Sequence, residues 1–245
     1  MNDYYGELCT QIYESDKSFA DGKELEFYLS FVKDKNMKVL EPMCGNGRML
    51  LPFLQRGIDI EGFDISEEML KVCKEKGKKL NLKPSVTLGK IEEFQSPNKY
   101  DLIIIPFGSF SLLPDYLVAD SLANMKSMLT EDGKLLLTIM TNRGKFNDLP
   151  EWRETNRKQY DSGDIVEYKQ EHYDSESKLL KIKLKYQFVK DEQIEKTELM
   201  DFPIRLYELG EFENILKSNG FNQIILHEVK DGYGIGSTFD VYECV

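Results

Sequence analysis

The chain has 245 residues, enough to bury a full α/β core, and its 43 acids against 32 bases give a formal charge of −11, which disfavours a duplex or tRNA partner needing a broad basic footprint but leaves room for a local basic patch. The first residues hold no basic segment followed by an apolar one, and no apolar run reaches membrane-spanning length, so neither a signal peptide nor a membrane span is expected. Cys9, Cys44, Cys73 and Cys244 lie far apart, His172 and His227 stand alone, and the expectation is free thiols in a cytoplasmic protein without a metal site.

In chain order, residues 4–20 have a helical pattern, with Leu8, Ile12, Tyr13 and Phe19 available for one face, and residues 23–32 give a second helix. A short apolar strand over 37–40 leads into Glu41-Pro42-Met43-Cys44-Gly45-Asn46-Gly47. An amphipathic helix over 49–54 and a second strand over 58–63, ending on Asp64, follow. Strand, glycine turn, helix, strand and acid make the opening unit of a nucleotide-binding sheet. Gly45 and Gly47 let the backbone turn tightly and approach a ligand, and the helix behind them points free N–H groups at it. Asp64 stands where an acid takes the hydroxyls of a ribose. A dinucleotide fingerprint would place a third glycine at position 50, which is Leu50. Glu41 would repel a pyrophosphate and attract a ligand ammonium. Cys44, inside the loop, can touch ligand or pack.

Ser66 with Glu67 and Glu68 reads as a helix start, and Ile65 and Met69 are candidates to pack on an adenine ring. The lysines between 71 and 83 alternate with glutamates and lack interleaved aromatics, which reads as a solvated helix face rather than a phosphate or RNA site. Residues 84–88 form a third strand. The near-continuous apolar run over 100–105 reads as a strand covered on both faces. Pro106, Phe107 and Phe110 follow it at the switch point of the sheet, where ligands bind; both phenylalanines can equally pack the core. A helix over 114–129, a turn at 131–133 and a fifth strand over 134–141 complete this half. Residues 142–160 are polar and contain the only tryptophan, Trp152. Residues 164–173 and 178–190 read as strands, the latter alternating apolar and polar residues with period two, as in an antiparallel hairpin, and 198–207 adds a third. A helix over 208–219 capped by Gly220 and a strand pair over 222–229 and 237–244 close the chain. Gly232, Gly234 and Gly236 join that pair as a connecting loop, with no helix behind them to cradle a phosphate.

At residues 41–47 and at Gly62-Phe63-Asp64-Ile65-Ser66 the chain resembles the class I S-adenosylmethionine-dependent methyltransferases of the small-molecule type. Their first motif runs acid-x-Gly-x-Gly-x-Gly, and Met43 replaces its first glycine. The resemblance implies a Rossmann-like, doubly wound, mostly parallel seven-stranded sheet with helices on both faces, plus an antiparallel β insertion before the last helix. It implies one domain, with residues 1–36 as a helical lid, 37–141 as the cofactor-binding core, 142–207 as an insertion covering the acceptor pocket, and 208–245 as the last helix and closing strands. The implied cofactor is S-adenosylmethionine, leaving S-adenosylhomocysteine. Its implied contacts are Glu41, Cys44, Gly45, Gly47, Asp64, Ile65 and Met69. To these are added Tyr13 from the lid, the Ile91 N–H on the adenine, and Pro106 and Phe107 along the methionine part. Tyr13 can equally pack its helix on the sheet. Lys90 stands where the family usually has an acid for the adenine amino group, so Glu92 is the nearest substitute.

For the acceptor pocket the expected residues are Phe110, Trp152, His172, Tyr186, Arg205 and Tyr207. Arg205 either fixes an acceptor carboxylate or makes a structural ion pair. The implied reaction moves a methyl group in line to a nitrogen or oxygen of a small molecule. An amine needs no base and a hydroxyl does, for which His172, Tyr13 and Tyr186 are the candidates; none is assigned. The expected partner is the small-molecule acceptor, with no nucleic acid and no membrane, for a monomer or homodimer. An RNA or protein methyltransferase of the same fold, or a nucleotide-binding module without catalysis, are the alternatives.

Overall fold

A computed structural model describes residues 5–144, 146, 148–233 and 236–245. Tyr4, expected to open the first helix, and Gly234 of the closing loop lie outside these. The centre of the molecule is the strand pair β1 (Lys38–Pro42) and β4 (Tyr100–Ile105), joined in parallel with Val39 opposite Leu102. Val39, Leu40 and residues 102–105 are fully buried, so this pair is apolar on both faces, and helices cover both. On one side of the pair come β2 (Asp59–Asp64) and β3 (Ser85–Leu88), both parallel. On the other side come β5 (Leu129–Thr138), then the antiparallel β11 (Thr238–Cys244) and β10 (Ile224–Lys230). The order is β10-β11-β5-β4-β1-β2-β3. Chain direction reverses its winding between β1 and β4, which opens a crevice beyond their carboxyl ends.

The helices are α1 (Glu7–Asp16), α2 (Gly22–Leu29), α3 (Leu50–Gln55), α4 (Glu67–Lys79), α5 (Asp115–Met128) and α6 (Glu211–Ser218). Ser66 caps α4, its hydroxyl accepting from the Met69 N–H at 3.2 Å, as its place before two glutamates leads one to expect. A second sheet, β6 (Leu149–Tyr160), β7 (Gly163–Asp174), β8 (Leu179–Lys190) and β9 (Gln193–Arg205), is antiparallel throughout. Its inner face meets α1 in a small core of Leu8, Cys9, Ile12, Ile165, Tyr186 and Met200. None of the described helices is long and apolar enough to cross a membrane.

Three expectations need correction. Strand β6 was not anticipated, because Leu149–Tyr160 is exposed along most of its length and pairs only with β7; an edge strand wet on both faces carries no apolar alternation. Residues 131–133 do not form a turn. They belong to β5, which starts at Leu129 opposite Tyr100 and shifts register before Lys134, and Gly133 fits because a Cβ there would lie 2.8 Å from the Tyr100 carbonyl. Helix α1 stops at Asp16 rather than continuing to residue 20.

Candidate cofactor and acceptor cavities

The loop between β1 and α3 is strained into shape: Met43, Gly45 and Gly47 all take positive φ, at 57°, 52° and 75°. Met43 therefore holds a conformation that favours glycine, at a cost of about 1–2 kcal/mol. The two glycines differ in use. A Cβ on Gly45 would meet nothing within 4 Å, and Gly45 lines the cavity beyond the loop. A Cβ on Gly47 would lie 2.5 Å from the Cys73 sulfur, so Gly47 serves the packing of loop on α4, and it does not line the cavity. Of the residues expected to hold the cofactor, Gly47 is thus the one set back from the cavity. The close helix–strand approach usually given by a third glycine is supplied from the strand: a Cβ on Gly62 would lie 2.6 Å from Leu50 Cδ1. Leu50 fits on the helix because Gly62 makes room in β2.

The cavity at this loop holds about 360 Å³. Every other residue expected to hold the cofactor lines it. Glu41, Cys44 and Gly45 come from the end of β1, Asp64, Ile65 and Met69 from the end of β2 and the start of α4. Ile91 and Glu92 form one rim, Pro106 and Phe107 another, and Tyr13 reaches in from α1. The Asp64 carboxylate is buried and already accepts the Gly45 and Ser66 N–H groups, each at 2.8 Å. Burial raises its pKa, and those amides with Ile65 N–H offset part of the rise. Glu41 is 3 % exposed, and its Oε2 has no hydrogen-bond partner among the described residues. Burial pushes its carboxyl far above the usual carboxylate range, and Arg48 pulls it back in part. A buried, unpartnered carboxylate oxygen facing a cavity fits a ligand cation.

Arg48 was not anticipated from the sequence. It leaves the glycine loop, pairs with the fully buried Glu24 at 2.6 Å, and lies 4.6 Å from the Phe107 ring centre. The lid is also fixed to the loop: Asn46 Nδ2 donates to Glu14 Oε2 at 2.6 Å and to the Lys17 carbonyl at 3.2 Å, and Lys76 of α4 pairs with the same Glu14 at 2.9 Å. These long-range polar contacts have no local sequence signature.

A second cavity of about 500 Å³ lies between α1 and the inner face of the second sheet. It shares Tyr5, Tyr13, Phe107, Ser109 and Leu112 with the first, so the two meet along one wall. Of the residues expected in an acceptor pocket, only Tyr186 lines it. Phe110 is fully buried in the core beside Phe212. Arg205, 7 % exposed, pairs with Asp115 at 3.1 Å and Glu211 at 2.6 Å, the structural alternative, and Tyr207 is buried against Phe212. Trp152 stands on exposed β6 with Lys185 4.8 Å from its ring. His172 is exposed beside Asp148 at 3.4 Å. A rare residue type in a polar stretch proved no guide to the pocket.

Helix α1, which roofs both cavities, is held from the far end of the chain. Glu198 Oε2 of β9 accepts the Leu8 N–H at 2.9 Å and the Cys9 N–H at 3.4 Å, capping the helix with a carboxylate. Lys196 pairs with Glu7 at 2.7 Å and Lys158 with Asp16 at 2.5 Å. No group of histidine, cysteine and acid side chains that could hold a metal occurs among the described residues.

Residues 39–133 match the methyltransferase-domain family. No curated protein matches the sequence. Among solved structures, an S-adenosylmethionine-dependent methyltransferase from Clostridium acetobutylicum is 17% identical, with 96% of each chain covered and a TM-score of 0.72. The sugar N-methyltransferase KedS8 from Streptoalloteichus is 15% identical over 100% of this chain and 93% of its own, with a TM-score of 0.73. CalS10, an amino pentose methyltransferase from Micromonospora echinaspora solved with S-adenosylmethionine bound, is 13% identical over 100% of both, with a TM-score of 0.69. Residues 39–133 thus match the methyltransferase-domain family, and the chain as a whole has the Rossmann-like fold seen in S-adenosylmethionine-dependent methyltransferases of known structure.

Proposed function

We propose that the chain transfers the methyl group of S-adenosylmethionine to a nitrogen of a small molecule. The observation that carries this reading is the pair of cavities meeting at Tyr5, Tyr13, Phe107, Ser109 and Leu112, one at the glycine loop and one walled by the second sheet. When bound, the cofactor supplies an electrophilic sulfonium methyl. The protein's part is to bind, orient and exclude water. Asp64 would accept the ribose hydroxyls with the lone pairs left by its two amide donors. Glu41 would take the cofactor ammonium. Ile65 and Met69 would flank the adenine, with the Ile91 N–H and Glu92 at its edge, and Pro106, Phe107 and Tyr13 would line the methionine arm.

Among the described residues the shared wall carries no carboxylate and no imidazole. Burial pushes the Tyr13 hydroxyl up to about 12 and Tyr186 further, so neither loses a proton near neutral pH. His172 lies outside both cavities. That suits an amine, whose lone pair attacks unaided, better than a hydroxyl, which needs a base. The Tyr5 ring on this wall also suits the positive charge that a nitrogen gains as the methyl arrives. KedS8 is a sugar N-methyltransferase and CalS10 an amino pentose methyltransferase, which agrees with this class. The test is calorimetry with S-adenosylhomocysteine on wild type and Asp64→Ala. Binding in the wild type, weakened about 10–100-fold in the variant, is expected for lost hydrogen bonds to a charged group. No heat with wild type, or equal affinity in the variant, overturns the assignment.

A further inference from the structure

The second cavity is lined by two cations and two anions, Lys17, Lys169, Asp16 and Glu167. Three of their charged heads are satisfied within the protein. Lys169 pairs with Glu171 at 2.6 Å, Asp16 with Lys158 and with Asn156 at 2.8 Å, and Glu167 Oε1 accepts the Thr155 hydroxyl at 2.6 Å. Lys17 differs. Among the described residues its ammonium has no carboxylate and no hydrogen-bond acceptor, only aromatic faces, with Nζ 4.6 Å from the Phe107 ring centre and 5.5 Å from that of Tyr13.

The position of that charge is informative. Phe107 belongs to the wall shared by both cavities. Two cations lie 4.6 Å from its ring centre: Arg48, which lines the first cavity, and Lys17, which lines the second. Arg48 is neutralised by Glu24. Lys17 has no such contact among the described residues; Arg48 adds like charge, while Asp16 and Glu167 act on it only from beyond contact distance. Its backbone is fixed, since the Lys17 carbonyl accepts from Asn46 and its N–H donates to the Tyr13 carbonyl at 2.8 Å. A cation carried on a held backbone beside the shared wall, with no carboxylate in contact among the described residues, is a complement for a ligand anion.

Resting on the methyltransferase reading above, we propose that Lys17 anchors an anionic group of the methyl acceptor, so that the substrates are amines that also carry a carboxylate or a phosphate. The anion would sit at Lys17 while the nitrogen reaches the wall of Tyr5, Tyr13 and Phe107. Lys17 is then a specificity-determining residue, touching the substrate but not the transferred methyl. Of the remaining lining charges, Lys169 and Asp16 are ion-paired and Glu167 is held by the Thr155 hydroxyl, and neutral and apolar parts of the acceptor fall to the rest of the cavity.

The experiment uses the full chain with radiolabelled S-adenosylmethionine and a small-molecule extract of the source cells. The extract is divided on an anion exchanger at a pH where amines are neutral, so that retention reports an anionic group alone. Wild type, Lys17→Met and Lys17→Arg are compared, with S-adenosylhomocysteine calorimetry on each as a check of fold and cofactor site. Label is expected in the retained pool. With the acceptor purified from that pool, Lys17→Met should raise KM about 10–100-fold, the loss expected for a charge-assisted contact. Its kcat should change far less, and Lys17→Arg should restore KM to within a few-fold.

Label only in the unretained pool, or an unchanged KM in Lys17→Met, overturns the proposal and leaves the methyltransferase reading intact. Weakened S-adenosylhomocysteine binding in Lys17→Met with unchanged KM for acceptor also overturns it, by assigning the charge to the cofactor's own carboxylate. Label in no pool, or no heat with S-adenosylhomocysteine in the wild type, overturns the small-molecule methyltransferase reading itself and this proposal with it.

Discussion

Glu41→Gln should move ligand-free stability and cofactor affinity in opposite directions. In the ligand-free protein the Glu41 carboxylate is buried with one oxygen unpartnered, and its folded pKa stands well above the ordinary 4.5. A raised acid binds its proton more tightly in the folded state. Its contribution to stability is therefore present below about pH 4.5 and lost as the pH climbs through the folded value. At neutral pH the charge is a burden, and an unsatisfied buried group costs about 1–3 kcal/mol. Replacing it with a neutral amide of the same shape should raise the melting temperature of the ligand-free protein by roughly 2–12 °C, at about 2–4 °C per kcal/mol for a chain of this size. The advantage should vanish near pH 4, where wild type is neutral too. With ligand the sign reverses. Loss of a carboxylate–ammonium contact should weaken S-adenosylhomocysteine by about 10–100-fold, whereas 5′-methylthioadenosine, which has no ammonium, should bind both proteins alike. Thermal melts and calorimetry read the two effects. A variant no more stable than wild type at neutral pH, or one that loses affinity for both ligands equally, would refute the assignment of Glu41 to the ammonium.

Gly62→Ala should lower stability by about 1–3 kcal/mol, read as a reduced denaturation midpoint, because its methyl would lie 2.6 Å from Leu50 and 2.9 Å from the Cys44 sulfur; an unchanged midpoint would show that α3 shifts freely on the sheet. Arg205→Met should cost about 3 kcal/mol of stability, at the lower end for a broken buried pair because Asp115 is exposed, while acceptor KM stays within two-fold or so in the folded fraction; a large KM change would return Arg205 to the substrate. His172→Ala and Trp152→Ala should leave steady-state methyl transfer within about two-fold, since surface substitutions away from a site are usually nearly neutral; a tenfold loss in either would place the acceptor on the outer part of the insertion.

The cofactor side was legible because it is local. A βαβ unit writes its ligand contacts into a stretch of under thirty residues, and the spacing from Glu41 through Gly45 to Asp64 carries over into one cavity. What the spacing could not say is which glycine does which task. Gly45 faces the cavity, Gly47 makes room for Cys73, and the packing glycine moved to position 62. The second cavity was not legible because contacts between α1, the loop after β4 and the second sheet build it, and residues far apart in sequence meet there. Rarity drew attention to Trp152 and His172, which turned out to stand on the outside. Arg205 and Tyr207 pack α6 to the sheet. Lys17 and Arg48, the two cations at Phe107, carry no local signature in the sequence.

The Glu198 cap has a consequence for the order in which the molecule can mature. Leu8 and Glu198 are 190 positions apart, so the amino-terminal helix leaves the ribosome long before the residue that secures its first turn. Closing so long a loop cannot precede synthesis of β9, and the parallel sheet has every strand but its closing pair by then. A nascent chain can therefore own a complete nucleoside cleft while the first turn of the roof over it is still unfastened. Tight retention of the cofactor becomes a late event, a mark that the carboxyl-terminal quarter of the protein has arrived.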